Sequence, residues 1–246
     1  MNEFLQVLMY AAMPAFGNLL GGILAEMLNV SEKTLSLALH LAAGIILAVI
    51  GIELMPEALK AEPPYIPILA FVGGSAFFIL LDRSIGYVQS RFGGKTKKGM
   101  GAAVAIYIGV AIDLFSDGIM IGTGSTVAAS LGLLLAIGQV PADIPEGFAT
   151  IATFKSKGVS RGRRFLLSAS FALPIFLGAT VGYWAVKDSS EIVKLTLLAF
   201  VAGILLTVAV EEMLTEAHGR PDSKWAALFL SGGFALFTFL SVYLEE

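Results

Sequence analysis

Four carboxylates lie within two hydrophobic runs of this chain that are each long enough to cross a lipid bilayer. Asp113 and Asp117 belong to the first run, and Asp143 and Glu146 belong to the second. Each acid at the centre of a membrane helix costs roughly 2.5–3.5 kcal/mol, so four together cost on the order of 10 kcal/mol. No Lys or Arg occurs in either run, and an external cation is therefore the natural partner. The alternative is that some of these acids are protonated and hydrogen-bonded as contacts between helices.

The spacing of the acids places each pair on one side of its helix. The aspartates of the first run are four residues apart, which separates them by about 40° around a helix, and the acids of the second run are three apart. Gly118 and Gly147 each follow an acid, and we expect them to let the two helices approach each other closely. Pro141 and Pro145 remove backbone N–H groups, so we expect a kink with free carbonyls, including that of Ile137, beside the acids.

The composition is that of an integral membrane protein. Of 246 residues, 57% are hydrophobic and 14% are charged, and the mean hydropathy is +0.83. The absence of cysteine excludes disulfides, thiolate metal sites and cysteine nucleophiles. Basic residues are confined to short links, so no nucleic-acid surface is expected. Eight hydrophobic runs predict eight transmembrane helices in a single domain over residues 1–246: 4–28, 35–59, 65–82, 100–124, 127–154, 165–186, 192–217 and 225–244.

The distribution of Lys and Arg predicts the orientation in the membrane. Thirteen of the sixteen lie in the first, third, fifth and seventh links, whereas Lys60, Lys187 and Lys194 fall on the other side. Because cytoplasmic links are enriched in basic residues, both termini are expected outside the cell membrane, in the periplasm or the extracellular space. Lipid is therefore an expected partner, and a homodimer is left open.

The chain also repeats itself at a spacing of 159 residues. In the second and seventh runs this offset pairs Gly44 with Gly203 and Glu53 with Glu212, and it continues into the third and eighth runs. The two halves run in opposite directions under the predicted orientation. An inverted repeat of helices 1–3 and 6–8 around a central pair, helices 4 and 5, is typical of alternating-access transporters.

Other polar residues lie in the hydrophobic runs, and we consider six of them here: Asn18, His40, Glu53, Gln139, Glu211 and Glu212. By the predicted orientation Glu53 lies toward the outside, whereas the two consecutive glutamates and His40 lie toward the cytoplasm. These four are candidates for secondary metal ligands along a pathway. The alternatives are solvated acids at helix ends and a core histidine. The two amides are expected to form hydrogen bonds between helices.

The acid motifs resemble those of the ZIP (zinc- and iron-regulated-transporter-like) family of divalent metal transporters. Helix 4 of that family typically reads His-Asn-x-x-Asp/Glu-Gly, and residues 113–118 read DLFSDG. Helix 5 typically reads His/Gln-Asn/Asp/Glu-Ile-Pro-Glu-Gly, and residues 143–147 read DIPEG. The resemblance implies eight helices with outward termini and a binuclear metal site bordered by Asp113, Asp117, Asp143 and Glu146. It also aligns Glu211 and Glu212 with a family His-Glu pair.

The departures from the family pattern concern the ligands. Asp113 and Ala142 stand where the family has His or Gln, Leu114 stands where it has Asn, and Leu173 stands where it has Glu before a proline. These changes predict a single-metal site that offers oxygen donors only. Carboxylates suit hard cations, whereas imidazole suits Zn²⁺. The expected cargo is therefore Mn²⁺ or Fe²⁺, with Zn²⁺ still admitted and Cd²⁺ a further candidate.

Besides a proton- or sodium-coupled carrier of organic solutes, two other functions compete with divalent metal transport. One is an intramembrane aspartic-type hydrolase that uses two acids on neighbouring helices. The Tyr-Asp and Gly-x-Gly-Asp pairs of such enzymes are absent, so no enzyme activity and no resident cofactor are expected. The other is a homologue that binds metal as a sensor without moving it.

Overall fold

The computed structural model describes residues 2–28, 31–92, 98–220 and 224–244, and within these ranges the chain is helical without strands. Lys95 and Lys97 of the third link and the terminal acids Glu245 and Glu246, which enter the predicted orientation, lie outside the described residues. The helical segments are α1 (Glu3–Met27), α2 (Glu32–Ala58), α3 (Tyr65–Phe92), α4 (Lys98–Val127), α5 (Ala129–Ser156), α6 (Arg161–Val186), α7 (Glu191–His218) and α8 (Ala226–Leu244).

Six helices in the described part of the chain are long and apolar enough to cross a membrane: α1, α2, residues 106–127 of α4, α6, α7 and residues 226–243 of α8. In α3 the shorter stretch Tyr65–Leu81 is also apolar. The all-α membrane class is thereby confirmed, whereas eight membrane crossings stay a prediction. We attribute the absence of α5 from the six to its two acids and two prolines, which lower its hydropathy.

Helix α5 is enclosed by the rest of the molecule. It packs against α1, α2 and α4, and sixteen of its residues are buried. A helix surrounded by protein does not need an apolar surface, because its polar groups meet other helices and not lipid. The acids of α5 therefore lie inside the bundle.

Two helices contain π-helical segments, in which the chain holds one more residue per turn than in an α-helix. In α2 this segment is Val49–Leu54, and in α7 it is Val208–Leu214. Pro56 follows the first segment and lacks the N–H that an α-helical Ile52 carbonyl requires. At the corresponding place in α7, the Thr215 hydroxyl donates to the carbonyl of Val210 at 3.4 Å. Both segments carry glutamates.

Helix α6 is interrupted at Phe171, between Arg161–Ser170 and Ala172–Val186. Pro174 cannot donate to the carbonyl of Ser170, and its ring crowds that carbonyl. α5 runs as one helix from Ala129 to Ser156 with both prolines inside, and the kink that the sequence predicts there stays a prediction. In the described residues the interruptions therefore fall in α2, α6 and α7.

Candidate metal site

The predicted acids lie near the middle of the bundle. Asp113 and Asp117 flank the centre of the membrane-length stretch Ile106–Val127. Their exposed fractions are 3% and 1%, and that of Asp143 is 2%. Glu146 is half-buried. Three carboxylates are thus almost fully removed from solvent at a depth where lipid would surround an isolated helix.

Helices α4 and α5 bring the acids together because they run antiparallel, separated by Ala128 alone. The Gln139 amide of α5 donates a hydrogen bond to Asp117 of α4. One turn along, the carboxyl groups of Asp113 and Glu146 lie against each other, and a hydrogen bond between them requires that the two share one proton. The expected contact by Gln139 is confirmed, and it makes the amide a member of the acid cluster. Its position one turn before Asp143 on the same helix was the available sequence signal.

Several oxygens of this cluster have no hydrogen-bond partner among the residues that the structure describes. They are Asp113 Oδ1, Asp117 Oδ2, Gln139 Oε1 and Asp143 Oδ2. A buried polar atom without a partner costs about 1–3 kcal/mol, and more when it is charged. A cation in contact with these oxygens would remove that cost.

The glycines do not perform the role that the sequence predicted. A Cβ at Gly118 would lie 2.2 Å from the carbonyl oxygen of Ile175 in α6, and a Cβ at Gly147 would lie 2.1 Å from that of Asn18 in α1. The expectation that they allow α4 and α5 to approach each other is therefore wrong. Spacing along one helix gives the angle between a glycine and an acid, but it does not give the helix that each side meets. Gly118 allows α4 to pack closely on α6, and Gly147 allows α5 to pack closely on α1.

Asn18 is the unexpected member of this region. It is 1% exposed, and neither its Oδ1 nor its Nδ2 has a hydrogen-bond partner within the described ranges. Its predicted role as a hydrogen-bond contact between helices is therefore wrong for this structure. Its backbone packs against Gly147, the residue after Glu146, so α1 carries a buried, unpaired amide on the residue that contacts α5.

In the described part of the chain, no group of three or more Asp, Glu and His side chains is arranged so that it could hold a metal ion. Asp113 and Glu146 contact each other, so their carboxyl groups are not both free to bind an ion. Binding of one ion by several of these acids therefore requires their side chains to turn.

The secondary candidates are distributed around the cluster. Glu212 lies beside Gly109 in α4, since a Cβ there would be 3.7 Å from Glu212 Oε1, and Gly109 is one turn before Asp113. Glu53 is 7% exposed and accepts a hydrogen bond from Ser241 of α8. Glu211 is exposed. The structure therefore brings Glu212 toward α4, and it places Glu53 against α8.

His40 is 3% exposed, and its ring contacts that of His218 with 5.0 Å between the centroids. Sequence reasoning missed His218 because this residue comes directly after the hydrophobic run that predicts α7. Its residue type is the feature of the sequence that could have identified it, since the chain contains only two histidines.

The fold and the site together define a class of protein, a multi-pass α-helical membrane protein with a carboxylate-lined interior. Comparison with known sequences then identifies the family. The model of the ZIP Zinc transporter family matches residues 93–241, which is more than half of the chain. The chain belongs to the ZIP family, as its acid motifs predicted.

Individual relatives are similar to the chain at low identity. Zinc transporter ZupT of Shigella dysenteriae is 26% identical over 203 residues, which cover 78% of each protein. ZupT of Salmonella arizonae is 27% identical over 198 residues, 75% of each. Human zinc transporter ZIP6 is 25% identical over 148 residues, which cover 56% of this chain and 20% of ZIP6. The chain thus spans about a fifth of the length of ZIP6. A family of transporters is consistent with the expectation that this protein is not an enzyme.

Proposed function

We propose that this protein carries a divalent metal ion across the cell membrane through a site between α4 and α5. The observation that carries the proposal is the set of unpaired oxygens on Asp113, Asp117 and Asp143, each at most 3% exposed and near the middle of the bundle. No basic side chain occurs in this part of α4 and α5 to neutralise them. A buried carboxylate is retained at such a cost when it binds an ion.

The donors at this site define the kind of ion. Asp113, Asp117, Asp143 and Glu146 offer carboxylate oxygen, and Gln139 adds an unpaired amide oxygen. Such donors suit Mn²⁺, Mg²⁺ and Ca²⁺ better than they suit Zn²⁺, although Zn²⁺ still binds oxygen ligands strongly. We assign one ion to the site, with Mn²⁺ or Fe²⁺ as the cargo and Zn²⁺ admitted.

Alternating access by an inverted repeat is the proposed mechanism. The π-helical segments begin at Val49 and Val208, which are 159 residues apart. The offset also relates two close helix contacts: Gly44 meets the carbonyl of Leu230, and Gly203 meets that of Phe71. Equivalent contacts between α2 and α8 and between α7 and α3 support two halves that can exchange conformations around a fixed site.

The orientation follows from the basic links, with both termini on the outer side and lipid around the bundle. Large apolar side chains exposed on α3 and α8, among them Leu69, Leu80, Leu228 and Phe239, are the surface that lipid would cover.

Flux of Mn²⁺, Fe²⁺ and Zn²⁺ into proteoliposomes tests the proposal. Asp117→Asn and Glu146→Gln keep the side-chain shape and remove the charge, so each should abolish or strongly reduce flux while the protein remains folded. Glu62→Gln is the matched control, because Glu62 is exposed in the link between α2 and α3, and it should carry metal at the unaltered rate.

Two results would contradict the proposal. Unaltered flux in both central variants would remove the acids from the pathway. Stoichiometric metal binding without flux, in protein that is correctly inserted, would favour the sensor over the transporter.

A further inference from the structure

The only two histidines of the chain meet at one end of α2 and α7. His40 and His218 are 178 residues apart in the sequence, yet their rings are 5.0 Å apart between centroids and inclined at 80°. His40 is buried, whereas His218 is exposed. The pair therefore consists of one interior imidazole and one that solvent can reach.

Contacts between the two helices hold this end together. The Ser36 hydroxyl of α2 donates to the carbonyl of Ala217 at 3.0 Å, immediately before His218. Arg220 forms ion pairs with Glu32, at the start of α2, and with Glu216, near the end of α7. The relative position of the two rings is thus fixed by backbone and side-chain contacts on both helices.

Each imidazole is turned the same way by its own helix. His40 Nδ1 lies 2.7 Å from the carbonyl oxygen of Ser36, and His218 Nδ1 lies 2.7 Å from that of Leu214. A carbonyl oxygen only accepts hydrogen bonds, so Nδ1 of each ring carries the hydrogen, and in the neutral ring Nε2 keeps its lone pair. A hydrogen bond from the other ring nitrogen is how metal-binding histidines are usually oriented.

The buried member of the pair has an unused nitrogen. His40 Nε2 has no hydrogen-bond partner in the described part of the chain, although the residue is only 3% exposed. Zinc–nitrogen bonds are about 2.0–2.1 Å long, so two imidazoles on one tetrahedral ion have centroids about 5 Å apart. The observed 5.0 Å agrees with this value.

We propose that His40 and His218 form a second metal site, in which both Nε2 atoms bind one borderline divalent cation such as Zn²⁺. Water completes the coordination from the exposed side of His218. The site is separate from the central acids and does not depend on transport. Its nitrogen donors prefer Zn²⁺ over Mn²⁺ more strongly than the oxygen donors of the central site do.

Nuclear magnetic resonance of ¹⁵N-histidine tests this site directly, because the 246-residue chain has two histidines once any affinity tag is cleaved. Titration with Zn²⁺ should move the Nε2 signals of both residues together, with saturation at one equivalent in Asp117→Asn, which lacks central binding. In His218→Gln the response of His40 should require much more Zn²⁺. Loss of a direct ligand should weaken binding by more than the roughly 10–100-fold that loss of an outer contact costs.

Asp117→Asn separates this inference from the proposed function. That variant should lose central binding and retain the histidine response, whereas His218→Gln should do the opposite. If Zn²⁺ leaves His40 Nε2 unchanged in the unaltered protein, or if Asp117→Asn removes the histidine response, the pair is not an independent metal site. A response of His218 alone would also overturn the proposal, since it would show binding at the surface only.

Discussion

Alanine at Gly147 tests whether α1 and α5 must remain in backbone contact for the site to work. A Cβ at this position would lie 2.1 Å from the carbonyl oxygen of Asn18, and ordinary contact begins at 3.4 Å. The helices must therefore separate by about 1.3 Å at this level, because both contacting groups belong to helix backbones. The displaced segment includes Glu146, the neighbouring residue.

The expected cost is that of overpacking, roughly 1–3 kcal/mol. For a chain of this size each kcal/mol lowers the midpoint of thermal unfolding by roughly 2–4 °C. Gly147→Ala should therefore unfold several degrees below the unaltered protein in detergent and should carry less metal in proteoliposomes, because Glu146 has moved.

Gly232→Ala is the matched control. A Cβ at Gly232 would meet none of the described residues within 4 Å, and Ala is favoured over Gly in a helix by about 1 kcal/mol. This variant should unfold at an equal or higher temperature and transport normally. If the two variants have the same midpoint and the same flux, the tight contact between α1 and α5 does not exist in solution, and the account of how Glu146 is positioned is wrong.

Three further predictions use other parts of the chain. A cysteine in place of Arg161 should react with an impermeant reagent only from the cytoplasm and one in place of Ser189 only from outside; the reverse labelling would overturn the orientation. Replacing Asp113 and Ala142 together with His should raise the ratio of Zn²⁺ to Mn²⁺ flux, since imidazole favours Zn²⁺, and an unchanged ratio would show that these positions do not set selectivity. Arg164→Ala should lower the free energy of unfolding by roughly 1–3 kcal/mol, because Glu26 of α1, which is 15% exposed, would lose its hydrogen-bond partner. Arg161→Ala should change it little, since Arg161 is 81% exposed, and equal effects would contradict this.

The central acids could be predicted from the sequence because a charge in a hydrophobic run is costly wherever the helix packs. That argument needs only Asp113, Asp117 and their setting, and the structure places both at mid-span. The partners of Gly118 and Gly147 could not be predicted in this way, since a helix has several neighbours and a single sequence does not rank them.

The unpaired amide of Asn18 and the histidine pair could not be predicted from the sequence for a related reason. A polar residue in a hydrophobic run can find a partner on any adjacent helix, and the expectation for Asn18 assumed that it does. His40 and His218 come together only through the packing of α2 on α7. No local sequence pattern indicates a contact between two residues so far apart in the chain.

The two donor sets make a last prediction about metal preference. If oxygen atoms bind at the centre and imidazoles at the end of α2 and α7, removal of the imidazoles should affect cations unequally. In His40→Gln and His218→Gln, the affinity for Mn²⁺ should stay nearly constant, whereas Zn²⁺ binding should lose its imidazole-dependent component, since Zn²⁺ gains more than Mn²⁺ from nitrogen ligands. Calorimetric titration of each purified variant with each metal measures both effects. An equal loss of Mn²⁺ and Zn²⁺ affinity would mean that the histidines act by holding the helices in place, because a structural defect at this end would weaken the central site for every cation alike.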